Sequence, residues 1–241
     1  MAMLGIQFGW GLQMANMSAI YESLGAKPEE IGLLWLAAPM SGLLVQPVVG
    51  ALSDGTWGVL GRRRPYILLG GIMSSLGLYM MPSAGSVMYA ALLLWIVDVS
   101  INVSMEPMRA LVADTLKEEE RTAGYVMQSV MIGLGACLSS GLPYILSRLG
   151  VSGSRGVIPV TVKYSYQIGA IVFLVAVLWT VVSSQESAPV KQSHRHIWQE
   201  IITALSNMPK TMKRLAVVQM CTWLGLFCMW LFFGIAIARH V

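Results

Sequence analysis

The sequence predicts an all-α polytopic membrane protein with about seven spanning helices. Two compositional facts and one pattern predict it. Hydrophobic residues make up 56% of the 241 and charged residues only 12%, with a mean hydropathy of +0.66, whereas a soluble globular chain carries about 25% charged residues. The pattern is a succession of apolar runs divided by short charged or Gly/Pro-containing gaps. A hydrocarbon core about 30 Å thick needs about 20 residues of helix to cross it, so six or seven crossings consume most of the chain. Little is left for a soluble domain.

Taken in order, the apolar runs predict helices near 3–21, 31–53, 65–82, 87–113, 122–146, 165–184 and 215–238. The first carries no charged side chain from Met1 to Ile20 and no basic lead, unlike a secretory signal. It begins so close to Met1 that a missing cytoplasmic tail is a further expectation. Glycines recur inside the spans, with Gly5, Gly9 and Gly11 in the first, Gly70, Gly71 and Gly77 in the third, and Gly133 and Gly135 in the fifth. In lipid such residues let helix backbones approach closely. The organisation that follows is a six-helix transmembrane bundle over 1–184, a cytoplasmic linker over 185–214 and a seventh transmembrane helix over 215–241. Within the linker, Ile197, Trp198, Ile201, Ile202 and Leu205 recur at helical spacing between His194 and Met208, the pattern of an amphipathic helix on the inner membrane surface.

Orientation follows from the positive charges, which stay on the cytoplasmic side. The gaps after the second, fourth and sixth spans hold ten Lys and Arg, against five in the other gaps and at the far end. The amino terminus is expected in the cytoplasm. The formal charge of +4 comes without a basic cluster interleaved with aromatics, so nucleic acid is not an expected partner. Membrane lipid is. Cys137, Cys221 and Cys228 all lie in apolar runs, and His194 and His196 have no third ligand beside them, so no disulfide framework and no metal site is expected.

The fourth span places ionisable groups in an otherwise apolar helix. Asp98 lies near its middle, where a charged carboxylate costs at least about 2.5–3.5 kcal/mol on insertion scales. Such an acid is read first as functional, with a structural hydrogen bond to a neighbouring helix as the competing reading. At about 100° per residue, Asn102, Glu106 and Arg109 fall within roughly 80° of Asp98, so the four share one face. That face needs a protein interior or a water-filled cavity, because lipid would not solvate it. Depth divides the set: at about 1.5 Å per residue Asn102 lies about 6 Å from Asp98 along the axis, and Arg109 about 16 Å. Asp98 and Asn102 are therefore binding candidates, whereas Glu106 and Arg109 suit either an inner gate or a plain intrahelical pair. Pro107 frees the carbonyl of Val103 and permits a bend between the two groups. Gln13 and Gln46, with Asn16, are weaker binding candidates, since amides in membrane helices often only join helices together.

A second constellation follows the second span: Gly50, Ser53 and Asp54, then Gly61, Arg62, Arg63, Arg64 and Pro65. An aspartate ending one helix and arginines starting the next can tie the two together and release them when the protein changes state. Topology and lipid headgroups alone would also account for a basic run. Asp114, at the end of the fourth span, joins the gate candidates Asp54, Arg62, Arg63, Arg64, Glu106 and Arg109.

Taken together, these residues resemble the major facilitator superfamily, specifically its sucrose-transporter-like branch of glycoside:cation symporters. The resemblance is carried by Gln7, Phe8, Gly9, Trp10, Leu12 and Gln13 in the first span, and by Val45, Gln46, Pro47, Gly50, Ser53 and Asp54 in the second. Gly61 to Pro65 before the third span, and Trp95, Asp98, Pro107, Met108 and Arg109 in the fourth, complete it. The six residues between Asp54 and Gly61 lengthen the usual loop. The resemblance implies an integral protein of the plasma (inner) membrane that carries a sugar or glycoside, coupled to a cation, a proton, with Asp98 matching the aspartate tied to coupling and with no bound cofactor. Chemistry agrees: a carboxylate in low dielectric can load and release a proton, while Asn102 and nearby glutamines can bond hydroxyl groups. Family members have two six-helix bundles, so the resemblance also implies either a truncated carrier whose second bundle starts at the seventh helix, or a half-carrier that pairs with another half or a second copy, or one that no longer transports.

An enzyme is not expected. An intramembrane aspartyl protease wants two facing acids, and only Asp98 lies at midplane depth. Gly150, Ser152 and Gly153 resemble a rhomboid-type serine signature but lie in an outer loop, with no histidine in a central span to activate the hydroxyl. A channel or receptor lacks a filter-like ring or a large ligand domain.

Overall fold

A computed structural model describes residues 1–151, 153, 158–186, 202–203 and 206–240, the last eleven as helix backbone. The chain divides into two units, Met1–Ser193 and His194–Val241. The first unit holds α1 (Ala2–Ser23), α2 (Pro28–Leu34), α3 (Ala37–Gly55), α4 (Arg64–Met80), a 3-10 turn (Met81–Ser83), α5 (Val87–Thr115), α6 (Glu118–Arg148) and α7 (Val160–Ser183). The second holds α8 (Lys210–His240). No strand occurs among the described residues. The helices fall where the apolar runs predict them, with one difference. The linker's amphipathic segment lies largely outside the described residues.

The difference is in the second span, which is two helices with a break at Trp35 and Leu36. Proline explains it: Pro39 has no N–H to give the carbonyl of Trp35, so the helical ladder is interrupted there. Trp35 also turns inward at the break. It is 2% exposed, and its indole Nε1–H donates to Ser18 Oγ of α1 at 3.0 Å. The start of α2 is fixed by Pro28 in its first turn and by the Lys27 N–H donating to Glu30 Oε2 at 3.0 Å. Ser86 caps α5, its hydroxyl accepting from the Tyr89 N–H. In α6, Glu118, Glu119 and Glu120 sit in the first turn and Arg148 in the last, matching the helix dipole at both ends.

Packing in the first unit runs through α5, which lies against α3 and α4, while α1 lies against α6 and α7, and α7 also meets α4. The glycines sit where backbones meet. A Cβ on Gly70 of α4 would stand 2.5 Å from the Ser100 carbonyl oxygen and 2.6 Å from the Ser104 nitrogen of α5. On Gly135 of α6 it would stand 2.6 Å from the Leu4 carbonyl oxygen of α1, and on Gly5 of α1 it would stand 3.0 Å from Phe173 Cα of α7. These are contacts that only a missing side chain permits, which is how helices associate when lipid removes the hydrophobic drive between them.

Burial is distributed as a bilayer requires. Gln13, Asn16, Ser41, Ser74, Asp98, Asn102 and Ser104 are inside, while Leu43, Leu44, Leu69, Leu76, Val130, Leu138, Val175 and Val182 are exposed. Water would penalise that arrangement and lipid rewards it. Among the described residues five helical segments are long and apolar enough to cross a membrane: 28–55, 64–83, 87–115, 118–148 and 160–183. The 22-residue α1 is as long as a span and carries its polar Gln13 and Asn16 on buried positions. The protein is an integral helical membrane protein.

Candidate functional site: the Asp98 face of α5 and the arginine-bearing end

On α5 the neighbours of Asp98 reveal where it points. Ile101 lies beside Gly9 of α1, whereas Asn102 bonds to α3. Asp98 sits about 60° from the first and about 40° from the second around the helix, so it faces the interior between α1 and α3. It is 1% exposed, and neither carboxylate oxygen has a hydrogen-bond partner. Tyr21 of α1 and Tyr166 of α7 are fully buried as well. The Tyr166 hydroxyl donates to the Leu12 carbonyl at 3.3 Å, an oxygen that also accepts from Asn16 Nδ2 at 2.9 Å. The Tyr21 hydroxyl and Gln13 Nε2 have no partner. A carboxylate, a phenol and an amide are thus all buried without partners, in a class of atoms that is almost always paired.

Asn102 behaves differently, although it shares the face. Its Oδ1 accepts from Gln46 Nε2 at 2.6 Å, and its Nδ2 donates to Ser41 Oγ at 3.1 Å and to the Asp98 carbonyl at 2.8 Å. Asn102 and Gln46 are brought together and spend their hydrogen bonds on joining α5 to α3, one turn from the carboxylate.

The arginine-bearing end is assembled from four helix ends. Arg63 is nearly buried; its guanidinium pairs with Asp54 at the end of α3, donates to Ser53 Oγ at 2.5 Å, and meets Asp114 at the end of α5 through Nε at 3.0 Å. Arg62 meets the same Asp114 oxygen at 2.5 Å. Arg64 turns instead to the Ser184 carbonyl beyond α7, donating at 2.7 Å. Glu106 and Arg109 stand apart, 3.9 Å from each other and both partly exposed, with Glu106 lying over Gly50 of α3. Of the seven gate candidates, Asp54, Arg62, Arg63 and Asp114 therefore form one ion-pair network, Arg64 is tied to the end of α7, and Glu106 with Arg109 makes a separate intrahelical pair.

Two residues at these sites escaped sequence reasoning. Glu186, just past α7, accepts the backbone N–H groups of Arg62 at 2.6 Å, Arg63 at 2.9 Å and Arg64 at 2.9 Å, and so caps the start of α4 with a negative charge. Gly61 makes room for it: φ is +92°, and a Cβ there would stand 3.0 Å from the carboxylate. Glu186 is the one acid between Glu120 and Glu200, and that isolation is the signal that could have found it. Tyr21 is the second. It lies two residues from the end of α1, where an aromatic reads as an interfacial anchor, yet it is fully buried with its hydroxyl unpartnered.

The family model of the Major Facilitator Superfamily matches residues 1–239. The chain belongs to the Major Facilitator Superfamily. It is also similar to a general alpha-glucoside permease of Schizosaccharomyces pombe, with 25% identity over 99% of this chain and 48% of the permease. A sucrose transport protein of Oryza sativa subsp. indica matches at 29% identity over 92% of this chain and 52% of its own length. A sucrose transport protein of Arabidopsis thaliana matches at 35% identity over 48% of this chain and 26% of its own. The chain spans about half the length of the first two relatives. A facilitator family accommodates both features, a buried acid and a network of ion pairs at one end. It is a carrier family, and the chain is not an enzyme.

Proposed function

We propose that this chain carries out, alone or with a partner bundle, the transport of a sugar or glycoside in symport with a proton. The observation that carries the reading is Asp98, buried in a membrane bundle with both carboxylate oxygens unpartnered. An ionised carboxylate so placed is costly, so a site of this kind exchanges its charge with a mobile cation. The relatives named for sucrose and alpha-glucosides supply the substrate class, and hydroxyl-rich substrates suit the unpaired amide of Gln13 as well as the Asn102 and Gln46 pair. The positive charges at the ends of α3, α5 and α7 support a cytoplasmic amino terminus, in a plasma (inner) membrane.

A second reading keeps the bundle and makes transport depend on assembly. The chain spans about half of its relatives, and the exposed Tyr125, Val126 and Val130 of α6 could be covered by the rest of a longer carrier, by another half or by a second copy. A chain that neither pairs nor transports is the limit of this reading.

The test is uptake of labelled sucrose and maltose into proteoliposomes under an imposed inward proton gradient. The full chain is expected to accumulate one of them, and Asp98→Asn is expected to insert normally and lose gradient-driven accumulation. Normal accumulation by Asp98→Asn would refute Asp98 as the coupling group. If the full chain is inert alone and active when expressed with a second bundle, the assembly reading holds.

A further inference from the structure

The interior that Asp98 faces, between α1 and α3, is bridged differently at its two ends. At the arginine-bearing end the bridge is the network of Arg63 with Asp54 and Asp114. At the opposite end it is an indole. α3 packs on α5, and α1 meets the second span at α2, where Trp35 Nε1–H donates to Ser18 Oγ at 3.0 Å. Two registers give the depth of that bond. Gly9 of α1 stands beside Ile101 of α5, and these first and fourth spans run in opposite directions. From that level Asp98 is about 4.5 Å and Ser18 about 13.5 Å toward the same end, at about 1.5 Å per residue. On the other side, Asn102 bonds to Ser41 and Gln46 of α3; Trp35 lies about 9 Å before the first and about 17 Å before the second, whereas Asp98 is about 6 Å from Asn102. Both registers put the indole beyond the carboxylate, away from the arginines.

α2 has the build of a lid. It is seven residues long, too short to hold itself as a helix, and its buried residue is Ile31, with Leu33 70% exposed and open space beside Gly32. There is a joint at each end. Gly25, at φ +96° with nothing near its Cβ position, precedes it, and the break that Pro39 leaves at Trp35 and Leu36 follows it. The indole has one donor and no acceptor. Buried, that donor needs Ser18; swung out, it finds water, so the bond is exchanged at small cost. We propose that α2 is a lid over the Asp98 interior and that Trp35, bonded to Ser18, is its latch. Breaking the bond lets α2 turn about its two joints and opens the interior from the end away from the arginines, while the Arg63 network holds the other end. What the lid admits rests on the reading of Asp98 as the coupling carboxylate; the latch itself does not.

The experiment is cysteine labelling of the full chain in membrane vesicles, with a membrane-impermeant thiol reagent applied to each face in turn. With Cys137, Cys221 and Cys228 replaced by alanine, the reporter is Gln13→Cys. Gln13 is 1% exposed and lies one turn beyond Gly9 on the same side of α1, at the depth of Asp98. Val59→Cys, exposed between α3 and α4, identifies the face of the arginine-bearing end. Ser18→Ala and Trp35→Phe each remove the bond, and each should speed reporter labelling from the opposite face about fivefold, the effect of one ordinary hydrogen bond on an opening equilibrium. From the arginine-bearing face the rate should not change. Both substitutions together should do no more than Trp35→Phe alone, since they delete the same bond. Unchanged labelling in Ser18→Ala and Trp35→Phe would overturn the latch, and so would an equal rise from both faces, which marks a loosened bundle rather than an opened lid. No step of this readout uses a proton. A failed latch therefore leaves Asp98 as the coupling group, and normal sugar accumulation by Asp98→Asn leaves the latch standing.

Discussion

The two polar regions of the bundle manage their charge in opposite ways. At the arginine-bearing end, Arg63 is nearly as buried as Asp98 but is surrounded by partners: Asp54, Asp114 and Ser53 on its side chain, and Glu186 on its backbone. In the α1, α5 and α7 interior, Asp98, Tyr21 and Gln13 are buried with none. A buried ion with good partners holds helices in one arrangement, and its loss leaves other charges stranded. A buried polar group without partners carries a desolvation cost that its own contacts do not return. The Arg63 side chain is partnered throughout, and the second region is not.

The comparison is broken most directly by deleting the partnered charge. Arg63→Ala strands Asp54, Asp114 and the Ser53 hydroxyl together, and because the two acids are partly exposed the cost should be about 2–3 kcal/mol, short of a fully buried pair. Thermal unfolding in detergent measures it, and a loss below about 0.5 kcal/mol would mean that the network contributes no more than an ordinary surface pair. Asp98→Asn should move the same measurement the other way. Asparagine keeps the shape and removes the carboxylate, so at neutral pH the fold should gain on the order of 1 kcal/mol, or a few degrees. A destabilised Asp98→Asn would show that the acid has structural partners, and would erase the contrast between the regions.

Much of this architecture is legible in the sequence because lipid makes the code simple: apolar length marks the spans, glycine marks the contacts, and the ends of α1, α4, α5, α6 and α7 follow the charged or Pro/Gly gaps. The break at Trp35 was written in Pro39 but is masked by the apolar run around it. At the site, helical periodicity puts Asp98, Asn102, Glu106 and Arg109 on one face, and they do share it. Periodicity cannot say which neighbouring helix each one meets. Asn102 finds Gln46 and Ser41 of α3 and is satisfied, whereas Asp98, one turn away, is buried without a partner. Glu186 lies 123 residues from Arg63, whose backbone N–H it accepts, so local pattern has no means of joining them.

Arg109 offers the smallest and most discriminating effect. Sequence spacing allows it to be either a gate or a local pair with Glu106, and the structure shows the pair alone: 3.9 Å apart, one turn along the same helix, with side chains 48% and 33% exposed. An exposed i, i+3 pair stabilises a helix by only about 0.2–0.5 kcal/mol. Arg109→Ala should therefore leave unfolding within that margin, far from Arg63→Ala, if the network of Asp54, Arg62, Arg63 and Asp114 is what closes this end. Cysteine labelling separates the alternatives. With Cys137, Cys221 and Cys228 replaced by alanine and a single cysteine placed at Ser104, which is buried against α4 with its hydroxyl on the Ile67 carbonyl, Arg109→Ala should label no faster than its parent. Arg63→Ala should label faster. Rapid labelling in the Arg109 variant would make Glu106 and Arg109 part of the closure, which a static pair at 3.9 Å does not predict.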